Sequence, residues 1–212
     1  MDANRVKRNQ LLAEKIVKGL QARNSEGYYV ETKEEALKLA LELIPKGSSI
    51  GWGGSVSVDE IGLREAVRNG DYQVLDRDNC KDAAEKKAVE RQIFSADYFL
   101  CSSNAITEDG ILVNIDGNSN RVAAIAYGPD NVLMIVGMNK VAKDVDAAVY
   151  RARNEAAPIN TQRFPVNTPC KVTGSCANCM SKDTICCEFL ITRFSRHAGR
   201  IKVILVGEDL GF

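Results

Sequence analysis

The first hundred residues alternate between short apolar runs and longer amphipathic stretches, and this alternation constrains the fold more than any other feature of the chain. Val6, Leu12, Ile16 and Leu20 recur at helical spacing with charges between them, which predicts one amphipathic helix ending near Gly27. A strand at 28–30 follows. Thr32 with Glu35 three residues later forms a capping box that opens a helix, which must stop before Pro45. Residues 48–52 read as a strand, and Ser57 with Glu60 as a second capping box for a helix lasting to about Asn69-Gly70. Residues 72–75 and 98–101 are further strands on either side of a helix at 83–95. A chain built this way pairs its strands in parallel and covers the sheet with helices. Beyond Ser102 the pattern changes to short strands around turn signals, Glu108-Asp109-Gly110 and Asp116-Gly117-Asn118, with 121–127 counted among them. This predicts antiparallel hairpins added to the sheet. A strand at 132–136, a helix at 141–155 closed by Ala157-Pro158, and regular elements at 188–194 and 202–206 complete an α/β fold, read as one domain over residues 1–212.

Residues 159–187 lack periodicity, a length uncommon for a loop inside a compact domain unless it is functional. Five of the chain's seven cysteines lie there, and the chain has one histidine, His197. The spacing is Cys170-x5-Cys176-x2-Cys179-x6-Cys186-Cys187, with Thr173-Gly174 turning the backbone just ahead of the C-x-x-C. Two thiolates two residues apart can face one ion, and Cys170 and Cys186 are near enough to complete a set of four ligands, Cys170, Cys176, Cys179 and Cys186, for zinc or an iron–sulfur cluster. The alternative is a free or redox-active pair with no metal. A histidine-based metal site is excluded. Cys101 ends an apolar strand and is expected in the core.

Lys+Arg and Asp+Glu both total 28, a balance that excludes a nonspecific nucleic-acid binder. The basic N-terminus lacks the apolar run and cleavage site of a secretory signal, and no apolar run approaches the length of a membrane span. A cytoplasmic location is expected, where clustered thiols bind metals or do redox chemistry more often than they form structural disulfides. The N-terminal amphipathic helix would serve either as a homodimer element or as packing on its own sheet.

Two further groups carry potential chemistry. The turn Gly51-Trp52-Gly53-Gly54-Ser55-Val56-Ser57 joins a strand to a helix, where backbone N–H groups favour a phosphate or carboxylate. It is neither a Walker A loop nor a dinucleotide fingerprint, and no flavin or nicotinamide motif occurs elsewhere. In a parallel sheet the turn after strand 98–101 opens on the same edge. Glu108 or Asp109 from the following acidic stretch could act as general base there, and Arg121 or Lys140 could hold an anionic substrate. The plainer alternative makes these stretches hairpin turns and the glycines purely conformational.

These residues resemble a known family. Gly51-Trp52-Gly53-Gly54-Ser55, Ser103-Asn104-Ala105-Ile106-Thr107-Glu108-Asp109-Gly110, Asn120-Arg121-Val122, Tyr127-Gly128-Pro129, Gly137-x-Asn139-Lys140 and Ala156-Ala157-Pro158 occur in the order seen in lactate-utilization (LUD, DUF162) domain proteins, over roughly residues 5 to 210. The resemblance implies a three-layer α/β/α sandwich similar to ribose-5-phosphate isomerase and CoA transferases. It also implies a ligand site lined by Gly53, Gly54, Ser55, Glu108 and Asp109, to which Asp116, Asn120, Arg121 and Lys140 are added as candidate ligand-binding residues. Ser119 stands where the family pattern Asp-Gly-x-Gly-Asn-Arg has its second glycine. The Thr173-Gly174-x-Cys176-x-x-Cys179 segment looks like that of a subgroup carrying a cysteine tail.

Three functions fit these features. The first is a subunit or accessory protein in oxidation of L-lactate or a related 2-hydroxy acid, passing electrons through a metal centre here or through an iron–sulfur partner subunit. The second is an isomerase or transferase acting on a sugar phosphate or acyl substrate, and the third a non-catalytic metabolite-binding module with structural zinc. Whether this chain catalyses a reaction by itself is open at this level, because fold does not decide function.

Overall fold

The computed structural model describes residues 2–212. Helix α1 (Ala3–Ala22) is capped by Asp2, whose carboxylate accepts from the Asn4 and Arg5 amides. It leads into β1 (Glu26–Val30) and α2 (Lys33–Leu43), where the Thr32–Glu35 capping box forms as expected. After β2 (Ser49–Trp52) the predicted single helix is instead two: α3 (Val56–Glu60) and α4 (Leu63–Arg68). The cap of α3 is Ser55, not Ser57, and the break falls at Gly62, whose φ of 74° is left-handed and cannot continue a helix. Then come β3 (Gln73–Leu75), α5 (Ala83–Gln92) with a 3₁₀ turn, β4 (Tyr98–Cys101), β5 (Ala105–Thr107) and β6 (Leu112–Asp116).

Residues 121–127, expected to be extended, form helix α6 (Asn120–Ala126). The Asp116 carboxylate accepts from the Arg121 and Val122 amides and so starts the helix from outside it. Ser119 adopts φ 63°, the left-handed conformation that explains why a glycine suits this place in the family pattern. Next are β7 (Asn131–Gly137), β8 (Val141–Ala142) and α7 (Val145–Arg151), which passes through a π turn into α8 (Ala157–Thr161). Pro158 therefore does not close the helix as expected. It sits in the first turn of α8, where a missing N–H costs little. The segment read as aperiodic holds one short helix, α9 (Pro169–Thr173), and the chain ends with β9 (Glu188–Thr192) and β10 (Ile201–Val206).

Six strands pair in parallel in the order β1-β10-β7-β4-β2-β3. Continuous apolar runs in β7 and β10 supply both faces. Val132, Met134 and Val136 pack with Ala13, Ile16 and Leu20 of α1 and with Ala124 and Ile125 of α6, whereas Leu133 and Ile135 pack with α2, α3 and α4. This is a mostly parallel sheet between helical layers, as the rhythm of the first hundred residues requires. The hairpins are not added to that sheet. They form a second one, β8-β5-β6-β9, that lies on its α1 side through Ile106 and Leu112. The other face of this small sheet, Ala105, Val113 and Ile115, packs on Ala148 and Ala152. Both faces of β5 and β6 are buried, with alternate residues turned to each.

Candidate functional site

The carboxyl ends of three adjacent strands of the main sheet, β2, β4 and β7, meet at one edge. This is the edge where open parallel sheets bind ligands. The chain leaving β2 carries Gly53, Gly54, Ser55 and Ser57; the chain leaving β4 carries Ser102, Ser103 and Asn104; the chain leaving β7 reaches Lys140. A cavity of about 630 Å³ opens there. Its walls include Gly54, Ser55, Ser57, Ser102, Asn104, Asp116, Asn120, Arg121 and Lys140, and residues 163–166 and 182–185 of the cysteine-bearing segment close one side.

Lys140 is the unusual member. It is 3% exposed, and its Nζ lies 2.8 Å from Ser57 Oγ and 3.0 Å from Ser102 Oγ, with no carboxylate among its hydrogen-bond or ion-pair partners. Burial, together with the nearby Arg151 and Arg121 cations, lowers its pKa to about 7. The amine is therefore held by two hydroxyls, in surroundings that disfavour its charged form. Gly211 packs over it: a Cβ there would meet Ser57 Oγ at 2.8 Å and Lys140 Nζ at 3.4 Å.

Arg121, expected to hold an anionic substrate, spends its donors within the protein. It donates to the Ser102 carbonyl at 3.1 Å, Asn114 Oδ1 at 2.6 Å, Asn104 Oδ1 at 2.8 Å and the Ile115 carbonyl at 2.7 Å. Its geometry is that of a clamp joining α6, β6 and the loop after β4. Gly53 lies behind the cavity wall, where a Cβ would press on Arg121 Cδ and Cγ at 3.0 Å, while Gly54 faces open space. Asn120 is tied by its side-chain amide to Glu90 at 3.0 Å, and Asp116 caps α6, so both shape the wall through internal bonds.

Glu108 and Asp109 lie outside the cavity wall. Glu108 pairs with Lys15 at 2.6 Å and Lys143 at 2.9 Å, and these two ammonium groups hold its pKa below the usual carboxylate range. Asp109 accepts from the Thr107 hydroxyl and pairs with Arg23, which likewise lowers its pKa. The hairpin turn that carries them is docked on α1 so closely that a Cβ on Gly19 would fall 2.3 Å from the Asp109 carbonyl. A carboxylate so stabilised in its ionised form is a weak base, and the geometry brings neither group to the glycine turn.

All seven cysteines are free, and Cys101 is fully buried as expected, with burial raising its thiol to about 12. Cys186 is raised to about 11 by burial and by the neighbouring Cys176, Cys170 and Cys179. The Asn178 amide donates to Cys176 Sγ at 3.5 Å, and Asn178 adopts φ 49°, giving the C-x-x-C a tight turn. Among the described residues, however, no three of the Cys, His, Asp and Glu side chains gather closely enough to hold a metal ion.

Ser57 and Ser102 were not singled out by sequence reasoning as ligands of Lys140. The available signal was position: each of the three residues follows a parallel strand by a few residues, and those strands are neighbours. Fold and edge together define a three-layer α/β protein with a polar cleft at the carboxyl ends of its parallel strands. The LUD domain family model matches residues 13–206, and the chain belongs to that family, which makes it a lactate-utilization-related protein at the family level. A solved structure of a DUF162 family protein from Deinococcus radiodurans shares the fold, with a TM-score of 0.51 at 12% identity over 93% of this chain and 98% of that one. No curated protein matches the chain. No helix is long and apolar enough to cross a membrane among the described residues.

Proposed function

We propose that the chain is the metabolite-binding subunit of a system that oxidises L-lactate or a related 2-hydroxy acid, and that it takes the small carboxylate in the cleft above Lys140. The observation that carries this reading is the buried amine held by Ser57 and Ser102 at the meeting point of three strand ends. Part of the Lys140 population is protonated near neutral pH, and a carboxylate arriving beside it would be drawn to that form and would raise its pKa. Ser57 and Ser102 would turn the amine toward the ligand, and Gly54 leaves the opposite wall open. Arg121 acts by holding the Ser102 and Asn104 loop in place. Electrons from such an oxidation would leave through a partner subunit carrying iron–sulfur clusters.

The test is calorimetric titration with L-lactate and with pyruvate. Both should bind saturably, and lactamide, which lacks the carboxylate charge, should bind at least about tenfold more weakly, since loss of a charge-assisted contact costs upward of ~1.4 kcal/mol. Equal binding of lactate and lactamide would reject the reading.

A second reading gives the cysteine segment a metal centre, and the turn at Cys176–Cys179 with its amide-to-sulfur bond favours it. The ligands would be Cys170, Cys176, Cys179 and Cys186. Elemental analysis of protein prepared without oxygen tests it: about one zinc or several irons per chain, lost on Cys176→Ser, would support the centre, and an unchanged metal content in that variant would reject the ligand assignment.

A further inference from the structure

The side chain of Lys140 does not resemble a simple anion anchor. A lysine that only binds carboxylate is best kept fully charged and partly hydrated, whereas this one is buried, has two hydroxyl partners, and faces a cavity far larger than one water molecule. We propose that Lys140 is a nucleophile that forms an imine with the carbonyl of a 2-oxo acid bound in the cleft, with Ser57 and Ser102 carrying the protons. This deepens the reading above, since a 2-oxo acid is what oxidation of a 2-hydroxy acid yields.

The chemistry balances without an oxidant. The lone pair of Nζ adds to the ligand's carbonyl carbon, and one amine hydrogen passes by way of a serine hydroxyl to the carbonyl oxygen, giving a carbinolamine. The C–O bond then breaks, the oxygen leaves as water carrying the second amine hydrogen, and a C=N bond takes its place. The addition needs a neutral amine, and both steps need a hydroxyl that accepts and donates, as a serine hydroxyl does. Two hydroxyls at 2.8 and 3.0 Å from Nζ, carried by the chain leaving two neighbouring strands at the same edge, meet that need.

The charged and titratable groups around the amine set its protonation. Arg151 from α7 and Arg121 from α6 disfavour the ammonium, while Glu60 from α3 and Cys101 from β4 favour it less strongly, and burial outweighs them all. Desolvation beside other cations is a recognised way of keeping a lysine nucleophilic near neutral pH.

The experiment is reductive trapping. The full chain is incubated with pyruvate and sodium cyanoborohydride at neutral pH, digested, and mapped by mass spectrometry, with a parallel calorimetric titration of pyruvate without reductant. The expected result is one reduced pyruvyl group per chain, on the peptide carrying Lys140 and dependent on both reagents. Lys140→Arg, which keeps a cation and cannot form the imine, should lose the adduct. Ser102→Ala should slow its formation at least about tenfold, as expected for loss of a positioned proton-transfer group. Peptide mapping of the wild-type chain needs no variant, so a variant that fails to fold leaves the test intact. Saturable pyruvate binding with no adduct at Lys140, or adducts spread evenly over surface lysines, would overturn the imine and leave the binding reading standing. Absence of both binding and adduct would overturn the two together.

Discussion

Two polar regions of this protein differ in how their charges are partnered. On the hairpin after β5, Glu108 and Asp109 are exposed or partly exposed; Lys15 of α1 and Lys143 meet the first, and Arg23, just past the end of α1, meets the second. At the carboxyl edge of the main sheet, Lys140 is buried, and its hydrogen-bond partners among the described residues are hydroxyls. The first arrangement satisfies its charges and fastens a hairpin to a helix. The second leaves a buried basic group with its proton affinity unspent, which is the condition under which a side chain can do chemistry. Residue type alone favours the hairpin, which has two carboxylates next to a glycine; environment favours the lysine.

The largest expected effect is structural and concerns the wall between the regions. Arg121→Met should destabilise the fold by about 3 kcal/mol, because it strands several buried acceptors at once. For a chain of this size that lowers the melting temperature by roughly 6–12 °C, which scanning calorimetry would register. A shift within about 1 °C would show that Arg121 is not the clamp described here.

Lys140→Met comes next, and its effect has a sign. The lysine's folded pKa, about 7, lies below its ordinary value of 10.5, so between these limits the unfolded chain binds the extra proton. Stability must then rise with pH across that window, and the penalty is fully present below it. The wild type should gain on the order of a few kcal/mol between pH 7 and pH 10 from this group, and Lys140→Met should flatten that slope. Denaturant titrations across the window check this, and an unaltered slope in the variant would contradict the buried neutral amine.

Smaller is the gain at Ser119, whose φ of 63° strains any residue with a Cβ. Ser119→Gly should stabilise by about 0.5–1 kcal/mol, visible as a higher denaturation midpoint at constant slope. The smallest effect belongs to the hairpin. Glu108→Gln should change stability by less than about 1 kcal/mol, because the lysines that pair with it are largely exposed, and it should leave pyruvate binding unaltered. A large loss of binding in that variant would reverse the comparison and return the carboxylate to the site.

Much of the fold was legible because the main sheet is built from contiguous apolar runs, as at Val132–Val136, and from helices with identifiable caps, as at Thr32. The errors fall where a few residues decide the outcome. Gly62 splits a helix that periodicity joins, the Asp116 carboxylate starts a helix where turn residues suggested another hairpin, and short strands such as β5 and β6 gave no sign that they form a sheet of their own. At the site, six of the seven proposed ligand-binding residues line the cavity, since strand ends are readable from sequence. The partnering of each charge was not readable, because Lys15, Arg23 and Lys143 reach Glu108 and Asp109 from segments whose docking depends on the tertiary fold.

A crystal structure of the chain with oxamate, a carboxylate-bearing analogue of pyruvate that resists imine formation, compares the two regions in one measurement. The ligand's carboxylate or carbonyl oxygen should lie within hydrogen-bonding distance of Lys140 Nζ, beside Ser57 and Ser102, with the Glu108–Lys15 pair undisturbed. Oxamate bound at the Glu108–Asp109 hairpin, with the cleft above Lys140 holding none, would contradict this placement.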